Sequence, residues 1–145
     1  MSGFQFEFVE VSPSIPSVNE EFKKYIGSED EFQKSVANYL RMIDSDFIHV
    51  PNGGTRNKIE ATKLKVMGVK PGVSDVLIFD QKQGYIGFVI ELKTGRNTPT
   101  DYQLKFIETR KNQNWLTLIS WSLDEVIFWV DWYYSIQKVK NYLQK

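Results

Sequence analysis

The chain has 145 residues, a normal size for one compact domain with little room for a second. Its 41% hydrophobic and 14% aromatic content is ample for a core, the lack of cysteine excludes a disulfide framework and zinc-finger spacing, and no stretch approaches the ~18 apolar residues of a membrane-spanning helix. Net charge is zero, but residues 1–50 hold four Lys/Arg against nine Asp/Glu and residues 51–115 hold eleven against six, so a basic middle segment hides inside a neutral total.

Phe4, Phe6 and Phe8 alternate with Gln5, Glu7 and Val9 and stop before Pro13 and Pro16, the pattern of a short strand in an amino-terminal arm over residues 1–27. Ser28-Glu29-Asp30-Glu31 fits a capping box with Ser28 as N-cap and Glu31 at the third helical position. A helix follows to about Met42, with Phe32, Val36, Tyr39, Leu40 and Ile43 on its buried side. Glu29 and Gln33 share a face of this helix. Phe47-Ile48-His49-Val50 is a short apolar strand ending at Pro51, and Asn52-Gly53-Gly54 is a turn. Next, a helix is expected from about Arg56 to Met67, ended by Gly68, with Ile59, Leu64 and Met67 as its apolar positions. Its cations Arg56, Lys58, Lys63 and Lys65 are numerous enough to touch phosphates, while each one alone fits a solvated face equally well.

Asp75 opens the strand Val76-Leu77-Ile78-Phe79, and the chain turns over residues 81–84, so residues 75–79 and 86–94 read as an antiparallel hairpin. The second strand, Gly87-Phe88-Val89-Ile90-Glu91-Leu92-Lys93-Thr94, is a buried apolar run that ends in an acid and a base on one face. Both are costly to bury unless paired or bound to an ion. The hairpin lays the start of its first strand beside the end of its second, which brings Asp75 to Glu91 and Lys93. Thr98 then suits an N-cap, Pro99 the first helical position and Asp101 the first turn. That helix runs to about Lys111 with Tyr102, Leu104, Phe106 and Ile107 as apolar positions and Gln103 on the inward side. A strand over residues 115–119 precedes a second capping box, Ser122-Leu123-Asp124-Glu125. The helix it opens is apolar on two sides, with Leu123, Ile127, Val130 and Tyr134 on one and Val126, Trp129 and Tyr133 on another, which makes an oligomer plausible. Ile136, Val139 and Leu143 continue as a last amphipathic helix over residues 135–145, part of the same compact unit.

Two carboxylates are the usual protein contribution to a Mg²⁺ site that takes its other oxygens from water and substrate phosphates. Asp75, Glu91 and Lys93 thus fit phosphodiester hydrolysis; on spacing alone, a simple Glu91–Lys93 ion pair at an exposed strand end accounts for the pattern about as well.

The order of these motifs resembles a known family. Gly72-Val73-Ser74-Asp75 followed by Glu91-Leu92-Lys93 resembles the PD-(D/E)XK nucleases. The surroundings are similar to the VRR-NUC branch: the first helix with Glu29 and Gln33, His49-Val50-Pro51-Asn52-Gly53-Gly54, the turn from Met67-Gly68-Val69 to Gly72, and Thr100 to Gln103. The resemblance covers about residues 28–130, and Ser74 stands where the family name has a proline. It implies an α/β, restriction-endonuclease-like core over residues 28–134, with a mixed sheet, a catalytic β-hairpin and flanking helices. It further implies that Asp75 and Glu91, with the Leu92 carbonyl, bind Mg²⁺, Mn²⁺ being able to substitute, and that Lys93 is the catalytic lysine. Gln103 would hold water or a phosphate, and Glu29 would reach the site from the first helix. His49 and Asn52 match the family pattern, and with Arg56, Lys63, Lys65 and Arg96 they are candidates to contact nucleic acid. Stand-alone members resemble resolvases of four-way (Holliday) DNA junctions. The expectation is therefore a structure-selective, homodimeric DNA endonuclease, soluble in the cytoplasm of a bacterium or a phage-infected cell. A flap, nicking or restriction-like nuclease is the alternative, and a non-catalytic DNA-binding or assembly module on the same fold is the alternative from another class.

Overall fold

The computed structural model describes residues 15–16, 21–51 and 57–136. The expected Phe4/Phe6/Phe8 strand, Asn52 and Arg56, and the helix beyond Ile136 lie outside the described residues. In chain order the elements are α1 (Glu29–Met42), β1 (Phe47–His49), α2 (Lys58–Val66), β2 (Val76–Ile78), β3 (Phe88–Leu92), α3 (Asp101–Asn112), β4 (Leu116–Ser120) and α4 (Leu123–Tyr133).

The strands form one mixed sheet in the order β1-β2-β3-β4. β1, β2 and β3 are antiparallel neighbours, with His49 opposite Val76 and Val76 opposite Ile90. α3 then carries the chain to β4, which pairs parallel to β3 with Leu92 opposite Ser120. β3 is central, and all five of its residues are buried; a strand covered on both faces reads as the near-continuous apolar run seen in the sequence. Gly87 is required just before it, because a Cβ there would lie 2.2 Å from the Trp115 ring.

One face of the sheet supplies Val76, Ile78, Phe88, Ile90 and Leu92 to the core, where they meet Phe32, Val36 and Leu40 of α1 and Val126, Val130 and Tyr133 of α4. Glu91 alternates to the opposite face of β3. The Ser28 capping box is present in full; of the box expected at Ser122 only the cap itself forms, the Ser122 hydroxyl accepting from the Glu125 amide. The α1–α4 contact also carries a polar pair, the Tyr39 hydroxyl donating to the buried Asp131 carboxylate. At the far end of the hairpin Tyr133 donates to the Asp80 carbonyl at 2.5 Å and Tyr134 to the Asp80 carboxylate at 2.6 Å. No helix among the described residues is long and apolar enough to cross a membrane.

Several local expectations are corrected. Thr100, not Thr98, is the N-cap of α3, in a capping box with Gln103; Pro99 thus precedes the cap rather than opening the helix. A box that satisfies two amide donors outweighs a lone threonine cap followed by proline. Tyr102 and Leu104, two of the apolar positions named for α3, are exposed. α2 starts at Lys58 from an Asn57 cap and buries no residue, so Ile59 and Met67 face solvent. Both apolar sides of α4 pack within this same chain: Val126 and Tyr133 of one and Val130 of the other are buried in the core, with Leu123, Trp129 and Tyr134 partly buried against it.

Candidate metal centre

β2 begins at Val76, and the carboxylate of Asp75, the residue before it, extends the pairing with β3. Asp75 Oδ2 accepts a hydrogen bond from the Leu92 amide at 2.7 Å. Within a strand the N–H and C=O of one residue project to the same side, so the Leu92 carbonyl also faces the side where Asp75 stands. Glu91 is 1% exposed and Lys93 7%, and their charged groups are 3.5 Å apart. The Lys93 amide is held by the Ser120 carbonyl at 2.9 Å, which fixes the backbone on both sides of Leu92.

Burial pushes the Glu91 carboxyl up from 4.5 to about 8, and the neighbouring Asp75 charge adds to the rise, while Lys93 offsets only part of it. Asp75 is raised as well, mainly by burial, and pulled back by the Leu92 amide, Glu91, Lys93 and His49. Two buried acids this close share one proton unless a cation compensates them. Glu91 Oε2 is buried with no hydrogen-bond partner, so a hard divalent cation, which takes oxygen ligands, fits this donor set. Among the described residues no three His, Cys, Asp or Glu side chains form a ligand cluster; the fit is to a two-carboxylate site completed by a backbone oxygen and waters.

Glu29 lies at the amino end of α1, and its carboxyl is raised by burial and by the charge of Asp75, with Lys93 pulling it down. It therefore lies within electrostatic reach of Asp75 and Lys93. His49 stands beside Asp75 on β1, its Nδ1–H donating to the Asp75 carbonyl at 2.8 Å, which leaves Nε2 as the outward nitrogen. Gln103 is placed differently: its Oε1 accepts from the Thr100 amide at 2.9 Å, and it lines a groove between α2 and α3 with Lys65. Lys63 and Arg96 are exposed.

Two groups that the sequence did not single out as site residues stand out by burial. Both polar atoms of the Gln33 amide, and the hydroxyl of Ser74, are buried without a hydrogen-bond partner. Gln33 is one turn beyond Glu29 on α1 and Ser74 adjoins Asp75. The available signal was the helical spacing from Glu29 and the serine in place of proline; neither reveals an unsatisfied group, which emerges only from packing.

The raised Glu91 carboxyl makes the stability of the metal-free protein depend on pH. A carboxyl held above its unfolded value favours the folded state below about pH 4.5, and that contribution is lost as pH rises toward about 8. Metal-free protein is expected to melt at progressively lower temperature across this window, and Glu91→Gln to flatten the profile. An unchanged slope in the variant, followed by circular dichroism melts, would show that Glu91 does not carry the extra proton.

No protein-family model and no curated protein matches the chain. A solved structure described as a "VRR_NUC domain protein" is similar to it, with a TM-score of 0.64 and 28% sequence identity over 79% of this chain and 94% of that one.

Proposed function

We propose, for a chain that belongs to the VRR-NUC family and carries its restriction-endonuclease-like α/β core, that it is a divalent-metal-dependent endonuclease hydrolysing phosphodiester bonds of branched DNA. The observation that carries this reading is the convergence of Asp75, Glu91 and Lys93 at one end of the β2–β3 hairpin. Asp75, Glu91 and the Leu92 carbonyl would hold Mg²⁺, or Mn²⁺ in its place. Bound there, such an ion supplies Lewis-acid polarisation of a phosphoryl oxygen and acidifies water.

The remaining work falls to the chain. Lys93 orients the attacking water and offsets the charge that builds on the phosphate as the P–O bond to the leaving oxygen breaks. Glu29, close enough to sense both Asp75 and Lys93, orients the ammonium or a water. Gln103 has its oxygen committed to Thr100, which leaves its amino group for a phosphate oxygen. The outward Nε2 of His49 is available to the same backbone, as are Lys63, Lys65 and Arg96 at longer range.

Resolution of a four-way junction needs two sites related by a two-fold axis, which a homodimer supplies. Exposed Ile59, Val66 and Met67 on α2 support self-association of this kind. In Mg²⁺ the protein is expected to cut a labelled four-way junction in strands of like polarity and to sediment as a dimer. Equal cleavage of junction and linear duplex, or a monomer in sedimentation, would remove the resolvase reading, and product mapping on flaps and nicked DNA would test the flap or nicking alternative. Complete retention of Asp75, Glu91 and Lys93 speaks against a non-catalytic module.

A further inference from the structure

A groove along α3 includes Gln103 in its lining but not Asp75, Glu91 or Lys93. One part runs between α2 and the first turn of α3, past Lys65, Lys70 and Tyr102. The other continues along α3, past Lys70, Tyr102, Lys105, Phe106 and Arg110. The two parts meet at Lys70, Pro71 and Tyr102, and together they make a track along α3. Tyr102, Lys105, Phe106 and Thr109 recur at helical spacing and occupy one face of α3.

Its chemistry is one-sided. Four cations line the track and no carboxylate does. None of the four forms an ion pair with another described residue, the Lys93–Glu91 contact being the salt bridge found among them. The Arg110 guanidinium lies 4.8 Å over the Phe106 ring, and its Nε is buried with no hydrogen-bond partner. Tyr102 is 65% exposed at the junction of the two parts. A ring left mostly in water contributes little to folding.

The track is also tied to the acidic pair. Gly72 sits at φ +83°, and a Cβ on it would lie 2.5 Å from the Tyr102 carbonyl carbon and oxygen. The loop therefore presses directly on the backbone that positions Tyr102, and three residues later it delivers Asp75. A ligand seated along the track is held in register with the carboxylates.

A basic groove with an outward aromatic ring is the arrangement that holds single-stranded nucleic acid, phosphates on the cations and a base on the ring. Bases within a continuous duplex are stacked on one another and present no free face. We propose that this groove binds a DNA strand at an unpaired nucleotide, with the base stacked on Tyr102 and the flanking phosphates on Lys70, Lys105 and Arg110. The proposal rests on the nuclease reading and adds to it the feature recognised: unpaired nucleotides at a gap, flap or opened branch point.

The test uses the whole chain in EDTA, where binding is read without cleavage. Anisotropy is measured for a labelled single strand, a gapped duplex and a continuous duplex, with 2-aminopurine at the unpaired position as a stacking reporter. Tyr102→Ala is expected to weaken the single strand and the gapped duplex about 10-fold, to leave the continuous duplex unchanged, and to abolish 2-aminopurine quenching, with Tyr102→Phe restoring all three. Lys70→Gln/Lys105→Gln, at exposed positions, is expected to weaken single-strand binding and to reduce its salt slope by about 1.4. Wild-type affinity in Tyr102→Ala, an equal loss on continuous duplex, or an unchanged salt slope in the lysine pair would overturn the proposal; full DNA affinity in both variants would instead mark the groove as a protein-docking surface. Absence of cleavage of any DNA by the wild type in Mg²⁺ would be a failure of the nuclease reading, a separate result from any of these.

Discussion

Lys93→Ala is expected to lower the single-turnover rate of DNA cleavage by about three orders of magnitude, the range lost when a group that orients water and stabilises developing charge is removed. Affinity for the same DNA, measured in EDTA, is expected to stay within a few-fold, because Lys93 is nearly buried and the strand-binding cations lie elsewhere. Removing the ammonium leaves Glu91 without its partner at 3.5 Å. That loss ordinarily destabilises a fold, but Glu91 already favours its protonated form, so the variant answers by keeping a proton. Lys93→Arg is expected to recover little, since a planar guanidinium cannot take the place of a compact ammonium in a buried position. Cleavage by Lys93→Ala within ten-fold of wild type would refute the assignment.

The second large effect belongs to Asp75. Asp75→Asn keeps a carbonyl oxygen where Oδ2 now accepts from the Leu92 amide at 2.7 Å, so the join between β2 and β3 survives while one negative charge is lost. Mn²⁺ binding, followed by isothermal titration calorimetry, is expected to weaken at least ~100-fold, and cleavage to fall with it. The metal-free variant is expected to melt no lower than wild type, because it relieves the repulsion between two buried acids. Undiminished Mn²⁺ affinity would place the ion elsewhere.

The hairpin that builds this centre was legible because each of its signals is local or periodic. A continuous apolar run identified β3, alternation placed Glu91 and Lys93 on one face, and antiparallel pairing carried Asp75 to them. The Ser28 and Ser122 caps were legible for the same reason. At the start of α3 two local signals competed, Thr98-Pro99 and Thr100-x-x-Gln103, and the reciprocal box prevailed. It also drew the Gln103 oxygen into the cap, which spacing alone could not convey. The sequence marks Ile59, Leu64 and Met67 as apolar positions around α2, yet the helix buries no residue; a pattern shows which residues are apolar, not what covers them. Gln33, Ser74 and the Arg110 Nε were illegible as unsatisfied groups because satisfaction depends on what packs around an atom. Glu29 lies between these cases: its place in the first turn favours the helix dipole in any fold, and only its coupling to Asp75 across the structure separates that role from one at the centre.

The most direct measurement is a crystal of the protein soaked in Mn²⁺, with anomalous scattering collected at the manganese edge. A peak within about 2.2 Å of oxygens from Asp75, Glu91 and the Leu92 carbonyl, with Lys93 beside it, is the expected result. A map with no peak there, and with Glu91 joined only to Lys93, would reduce the pair to a buried ion pair and contradict the account.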